Sequence, residues 1–147
     1  HHRVSENKCR KIVASGGVVA CVVRNMFDVM VSWWHNQNFQ PGSDKSLKHE
    51  VQPFDEFLRE KACTTTHRWF MYPVYHYGLR LSNWVLRYET LSVDMADFFR
   101  KIGEQPHALP VIGASKRTDY RDYYTPELRA IVEDRWAEDL KLTGYEF

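Results

Sequence analysis

The stretch CVVRNMFDVMVSWWHNQ, Cys21 to Gln37, decides the fold. Its apolar beginning belongs to a longer run, Val18 to Val23, which is continuous and rich in β-branched residues. Such a run suits a strand buried on both faces, as in a parallel sheet covered by helices. The run stops at Arg24-Asn25, and a helical pattern takes over. Asn25 is a favourable N-cap, and Asp28 at N3 sets a carboxylate against the positive end of the helix. Val29 and Trp33, with Met30, form the expected apolar face. The stretch reads as strand, tight turn, helix.

Working outward, Ser5 to Lys11 is polar and basic and reads as a helix end or loop. Phe39 to Gln52, with Pro41-Gly42-Ser43, reads as an exposed loop. Phe54, Phe57 and Leu58 have helical spacing over Phe54 to Lys61, a pattern that Thr64 to Thr66 breaks. Phe70 to Leu81 is aromatic and partly helical in pattern. Asn83 to Glu89 (NWVLRYE) is the second expected strand. Ser92 is placed to cap a helix carrying Met95, Phe98, Phe99 and Ile102 and ending at Gly103. His107 to Arg121 is loop-like. Thr125-Pro126-Glu127 is a strong helix start, with Thr as N-cap and Pro at N1. Leu128, Ile131, Val132 and Trp136 give that helix a core stripe, and Gly144 ends it. Strands separated by helices predict an α/β fold: three layers, a parallel sheet flanked by helices.

The chain has 147 residues, enough for one domain with one core, and 44% of them are hydrophobic. Five Trp, eight Tyr and eight Phe argue against disorder. A formal net charge of +1 gives no long-range attraction to nucleic acid or anionic membrane, so an anion site must be local. Cys9, Cys21 and Cys63 form neither a disulfide framework nor a CxxC zinc motif, which favours a reducing compartment. Ile12 to Val23 is too short to span a bilayer and lacks the features of a signal peptide. The chain opens on His1-His2 without Met, as a piece of a longer protein or a tag remnant would.

In open α/β sheets, ligands sit beyond the carboxyl ends of the strands. Arg24 stands at such an end, and the helix N-terminus after it presents unpaired backbone N–H groups. A guanidinium is a planar fork of donors suited to phosphate or sulfate. Ser32, two turns into the helix, adds a hydroxyl. An Arg that makes a surface salt bridge and a Ser that is merely exposed would leave the same pattern. The histidines His35, His49, His67, His76 and His107 form no i,i+4 pair and no HExxH, so no metal is implied.

RNMFDVMVSWWHN resembles the 3′-phosphate-binding segment of the sulfotransferase family, R-[ND]-P-x-D-x-x-x-S, with Arg24, Asn25, Asp28 and Ser32 in place. Met26 replaces the usual proline, which removes a preset φ rather than a ligand contact. The resemblance implies that Arg24 and Ser32 hold the 3′-phosphate of 3′-phosphoadenosine 5′-phosphosulfate (PAPS). WVLRYETL, Trp84 to Leu91, is similar to the family's L-x-[FR]-Y-E-D-L, with Thr90 where Asp is usual. It implies Tyr88 near the adenine, against the plainer reading of a core tyrosine. The tail SKRTDYRDYYTPELRAIVEDRWAEDLKLTGYEF is similar to the C-terminal segment of bacterial-type and carbohydrate sulfotransferases. There, Lys116 and Arg117 would close over the 3′-phosphate; solvated surface charge is the alternative.

The resemblance covers roughly residues 12 to 147 and is poor from 38 to 82, where the family shapes its acceptor site. Two family features have no counterpart. No P-K-x-G-[ST] loop is present, since Gly16-Gly17 precedes a strand rather than following one. The family's catalytic His lies in a K-T-H-x-P-like segment; His2 is nearest that place, without its Thr or Pro, so the catalytic residue is unassigned. The chain is therefore expected to be the C-terminal portion of one sulfotransferase domain of P-loop NTPase-like fold. The whole protein would transfer a sulfuryl group from PAPS, without a metal, to a carbohydrate or small-molecule hydroxyl. Two alternatives stand beside it: a degenerate, non-catalytic nucleotide-binding relative, and a kinase-like protein of the P-loop class. A cytoplasmic location is the default, and the Golgi lumen follows if an upstream anchor exists.

Overall fold

The computed structural model describes residues 6–39, 51–63, 78–110 and 117–147. His2, Lys116, His49, His67 and His76 lie outside these residues, as do most of the 39–52 loop and all of the segment 64–77. The described chain is mixed α/β, and it divides into two units, His1–Arg24 with Thr66–Val111 and Asn25–Thr65 with Ile112–Phe147.

The first unit opens with α1 (Glu6–Ala14), where a loop or helix end was expected. Glu6 and Arg10 pair one turn apart at 2.7 Å, and Cys9 is buried, so this polar stretch gains both a surface pair and a core contact. Gly16, at φ +82°, turns the chain out of the helix, and the Gly17 N–H donates to Ile12 O at 2.8 Å. A Cβ on Gly17 would lie 2.9 Å from that same oxygen, so only glycine fits against α1 there.

Strand β1 (Ala20–Val23) begins two residues later than the apolar run. Val19 is occupied elsewhere: its N–H donates to Asn83 Oδ1 at 2.8 Å, and its carbonyl accepts from the N–H groups of Asn83 and Trp84. A short helix, α4 (Gly78–Leu81), leads into β2 (Trp84–Arg87), and the two strands pair in parallel, Ala20 with Trp84 through Val23 with Arg87. The expectation of burial on both faces fails in part. Val23 is 1% exposed, but Val22 is 42% exposed and Val85 46%. Among the described residues each strand has one partner, so the ladder is narrow and its apolar positions are incompletely covered.

After β2, a 3-10 turn (Tyr88–Thr90) leads into α5 (Leu91–Lys101). Ser92 is not the cap. The N-cap is Thr90, and its hydroxyl donates to Asp94 Oδ1 at 3.1 Å instead of capping the backbone. Trp84 meets Phe98 edge-on at 6.3 Å, and Gly103, at φ +82°, closes the helix as expected.

The second unit contains α2 (Met26–Phe39), α3 (Phe54–Cys63), a 3-10 turn (Tyr120–Tyr123), α6 (Pro126–Arg135) and α7 (Ala137–Thr143). Its core is aromatic and aliphatic: Phe27, Met30, Val31, Phe57, Leu58 and Val132 are all at most 1% exposed. The apolar face of α2 is therefore turned from the expected one. Phe27, Met30 and Val31 are buried, while Val29 and Trp33 are half-buried. Thr125 caps α6 as the sequence predicts, accepting from the Leu128 N–H at 3.4 Å, with Pro126 next in line. The last helix is not continuous: Trp136, at φ −116° and ψ 28°, separates α6 from α7. Gly144, at φ 69°, ends α7.

Candidate functional site

In-register parallel pairing puts the ends of β1 and β2 side by side, Val23 opposite Arg87. The next residue on each strand is one that the sequence singles out, Arg24 and Tyr88. The Arg24 guanidinium carbon lies 4.0 Å from the centroid of the Tyr88 ring. A planar cation over an aromatic face is a favourable contact, and it holds the guanidinium in one orientation at the carboxyl end of the strands. Tyr88 is 48% exposed, so its plainer reading as a core tyrosine does not hold.

Asp94, which the sequence did not single out, braces this strand end. Its Oδ2 accepts from the Arg87 N–H at 2.7 Å while Oδ1 takes the Thr90 hydroxyl. One carboxylate thereby satisfies the backbone just before Tyr88 and the side chain just after it. The signal was available as T-x-x-x-D, a hydroxyl and an acid one helical turn apart.

In the second unit, Asn25 is the N-cap the sequence predicts. Its Oδ1 accepts from the Phe27 N–H at 3.1 Å, and its carbonyl accepts from the Val29 N–H at 2.9 Å. It also does more than a cap requires. Its Nδ2 donates to the Glu146 carbonyl at 2.9 Å and faces the Tyr120 hydroxyl at 3.3 Å. Asn25 is 6% exposed, so these bonds satisfy an amide that water barely reaches.

Asp28, at N3, pairs with Arg117, with side-chain exposures of 14% and 11%. The Arg117 guanidinium thus sits against a carboxylate in the first turn of α2, where its charge is offset locally. Tyr124 donates its hydroxyl to the Phe27 carbonyl at 3.0 Å. Burial, and secondarily the Asp28 carboxylate, push that hydroxyl far above the ordinary tyrosine range. Ser32 lies half-buried on α2. Of the residues the sequence singles out, then, the fold joins Arg24 with Tyr88 and Asp28 with Arg117.

Trp33 and Trp34 both serve the packing of the second unit. Trp33 meets Phe57 edge-on at 5.5 Å, while Trp34 touches Phe54 and Tyr123 and donates its indole N–H to Gln52 O at 2.7 Å. His35 lies against Phe39, ring centroids 4.7 Å apart, and His107 against Phe99 at 4.2 Å. Among the described residues no cluster of three His, Cys, Asp or Glu is placed to hold a metal ion, and no helix is long and apolar enough to cross a membrane.

Comparison of the chain with known protein families, with curated proteins and with solved structures found no match.

Proposed function

We propose that the chain is the donor-binding portion of a PAPS-dependent sulfotransferase, a partial domain of the three-layer, P-loop NTPase-like kind. The observation that carries this reading is the stack of Arg24 on Tyr88 at 4.0 Å. Two segments far apart in sequence, each similar to a different sulfotransferase motif, supply the two halves of one contact. An adenosine 3′-phosphate needs a cation for the phosphate and an aromatic surface for the base. Ser32, Lys116 and Arg117 enter the proposal as further phosphate ligands on the sequence resemblance alone.

In the reaction proposed for the whole protein, an acceptor hydroxyl oxygen attacks the sulfur of PAPS. The S–O bond to the 5′-phosphate breaks, 3′-phosphoadenosine 5′-phosphate (PAP) leaves with the electron pair, and the hydroxyl proton passes to a base. Such a transfer depends on positioning and charge stabilisation, as phosphoryl transfer does. The acceptor proposed is a carbohydrate or a small hydroxylated molecule. The base is not assigned.

Calorimetric titration with PAP tests the reading. The wild-type chain is expected to bind, and Arg24→Ala to weaken binding about tenfold to a hundredfold, the range for losing a charge-assisted hydrogen bond. Equal binding by both proteins would remove Arg24 from the site. The absence of a P-K-x-G-[ST] loop from these 147 residues favours a second reading, a relative that binds nucleotide without transferring sulfate. The coding sequence upstream of His1 separates the two: such a loop there restores the enzyme. A labelled-sulfate transfer assay run beside ATP hydrolysis distinguishes both from a kinase-like protein.

A further inference from the structure

The first turn of α2 is held from outside the helix by several groups. Asn25 reaches the Glu146 carbonyl and the Tyr120 hydroxyl. Tyr124 donates to the Phe27 carbonyl. The Phe147 ring completes the arrangement, meeting Phe27 edge-on at 5.0 Å, Tyr124 at 5.6 Å and Tyr120 at 5.9 Å. The Arg129 guanidinium covers Phe147, 4.8 Å from its centroid. The last two residues therefore act on the helix start in two ways, Glu146 through its backbone and Phe147 through its ring.

We propose that Tyr120 and Phe147 are positioning residues that fix the first turn of α2 through Asn25 and Phe27, and so set how tightly the chain holds a 3′-phosphorylated nucleotide. The clamp itself rests on the contacts above; only its effect on nucleotide binding rests on the donor reading. The physical reason is preorganisation. A helix start that must be ordered on binding costs affinity, whereas one already held does not. A cap bond alone leaves the first turn free to fray, since the N–H groups there lack helical partners. The bonds from Asn25 Nδ2 and the Phe147 ring act on the cap residue and on N2, where fraying begins.

Amide hydrogen exchange without ligand tests the clamp directly. In Phe147→Ala, exchange at Phe27 and Val29 is expected to rise at least tenfold, while Phe57 and Leu58 on α3 keep their protection. Phe147→Tyr, which preserves the ring, is expected to restore the wild-type rates. Tyr120→Phe keeps the ring beside Phe147 and removes only the hydroxyl facing Asn25, so it serves if Phe147→Ala does not fold. Unchanged exchange at Phe27 and Val29 in a folded variant would overturn the clamp. The second arm is PAP titration. About tenfold weaker binding in Phe147→Ala and Tyr120→Phe, recovered in Phe147→Tyr, supports the effect on the nucleotide. Unchanged affinity alongside faster exchange overturns that effect and leaves the clamp standing. If the wild type does not bind PAP, the donor reading and the nucleotide effect fall together, and the exchange data decide the clamp.

Discussion

Tyr124 couples a hydroxyl to the solution pH through its surroundings. Burial is the larger cause of its raised pKa, and the nearby Asp28 carboxylate adds to it. The folded chain thus holds the proton more strongly than the unfolded chain, whose tyrosines titrate at about 10. The resulting stability is fully present below that value and is lost as pH rises past it, because the unfolded state then gains by ionising. Tyr124→Phe is expected to start about 1 kcal/mol less stable for want of the bond to the Phe27 carbonyl. It is also expected to decline less steeply between about pH 10 and 12. Melting temperatures across that range check it, and parallel slopes for the two proteins would refute the assignment. None of this was legible in the segment DYRDYY, where three tyrosines look alike and only packing tells which hydroxyl is buried.

At the scale of elements, the two best-supported helix starts differ in what hangs on them. Thr125 makes a cap bond to the Leu128 N–H, a local matter of three residues. Asn25 caps α2 and also holds Glu146 and faces Tyr120. Thr125→Ala is expected to cost about 1 kcal/mol, the ordinary value of a cap. Asn25→Ala is expected to cost about 2 kcal/mol, since it removes the cap bond and also the bond from the buried Asn25 amide to the Glu146 carbonyl. Urea denaturation of both variants measures the difference, and equal costs would mean that the longer-range bonds contribute nothing. Both caps could be read from sequence because a cap is a short-range signal. The core face of α2 could not. The helix carries apolar residues on several sides, and the Tyr124, Phe147 and Phe54 rings that choose among them come from distant segments. Ser92 fails as a cap for a related reason: the acid two residues later takes the Thr90 hydroxyl, and the cap falls two residues earlier, at Thr90.

For the whole molecule, near-neutral charge leaves local acids to govern its response to low pH. The Arg121 N–H, followed by the Arg121 guanidinium, holds the Asp119 carboxyl below its ordinary range, and a bond with Thr125 does so for Glu127. Depressed folded values contribute stability that is present above the ordinary carboxylate range, about pH 4, and is lost as pH falls through the lower folded values. The Asp119→Asn, Glu127→Gln double variant is expected to flatten the fall in melting temperature between about pH 4 and 2. An unchanged acid limb would show that these two exposed groups do not matter to it. The α/β class and the strand-turn-helix at Arg24 were legible because each rests on local pattern. The contact of Arg24 with Tyr88 depends on strand register, which the sequence suggests only through resemblance to a family. The clamp on α2 was not legible at all, because it joins one side chain to a backbone carbonyl at the far end of the chain.

Each unit is assembled from two separate stretches of chain, and the stretches alternate along the sequence. On a ribosome, β1 emerges long before β2, and the core positions of α2 long before Tyr124 and Phe147. Neither unit can finish folding in the order in which it is made. Phe27, Met30 and Val31 must wait for the stretch Ile112–Phe147 to be synthesised before their unit is complete. The growing chain is therefore expected to need protection from self-association until Tyr124 and Phe147 have emerged, a burden that its finished structure does not display.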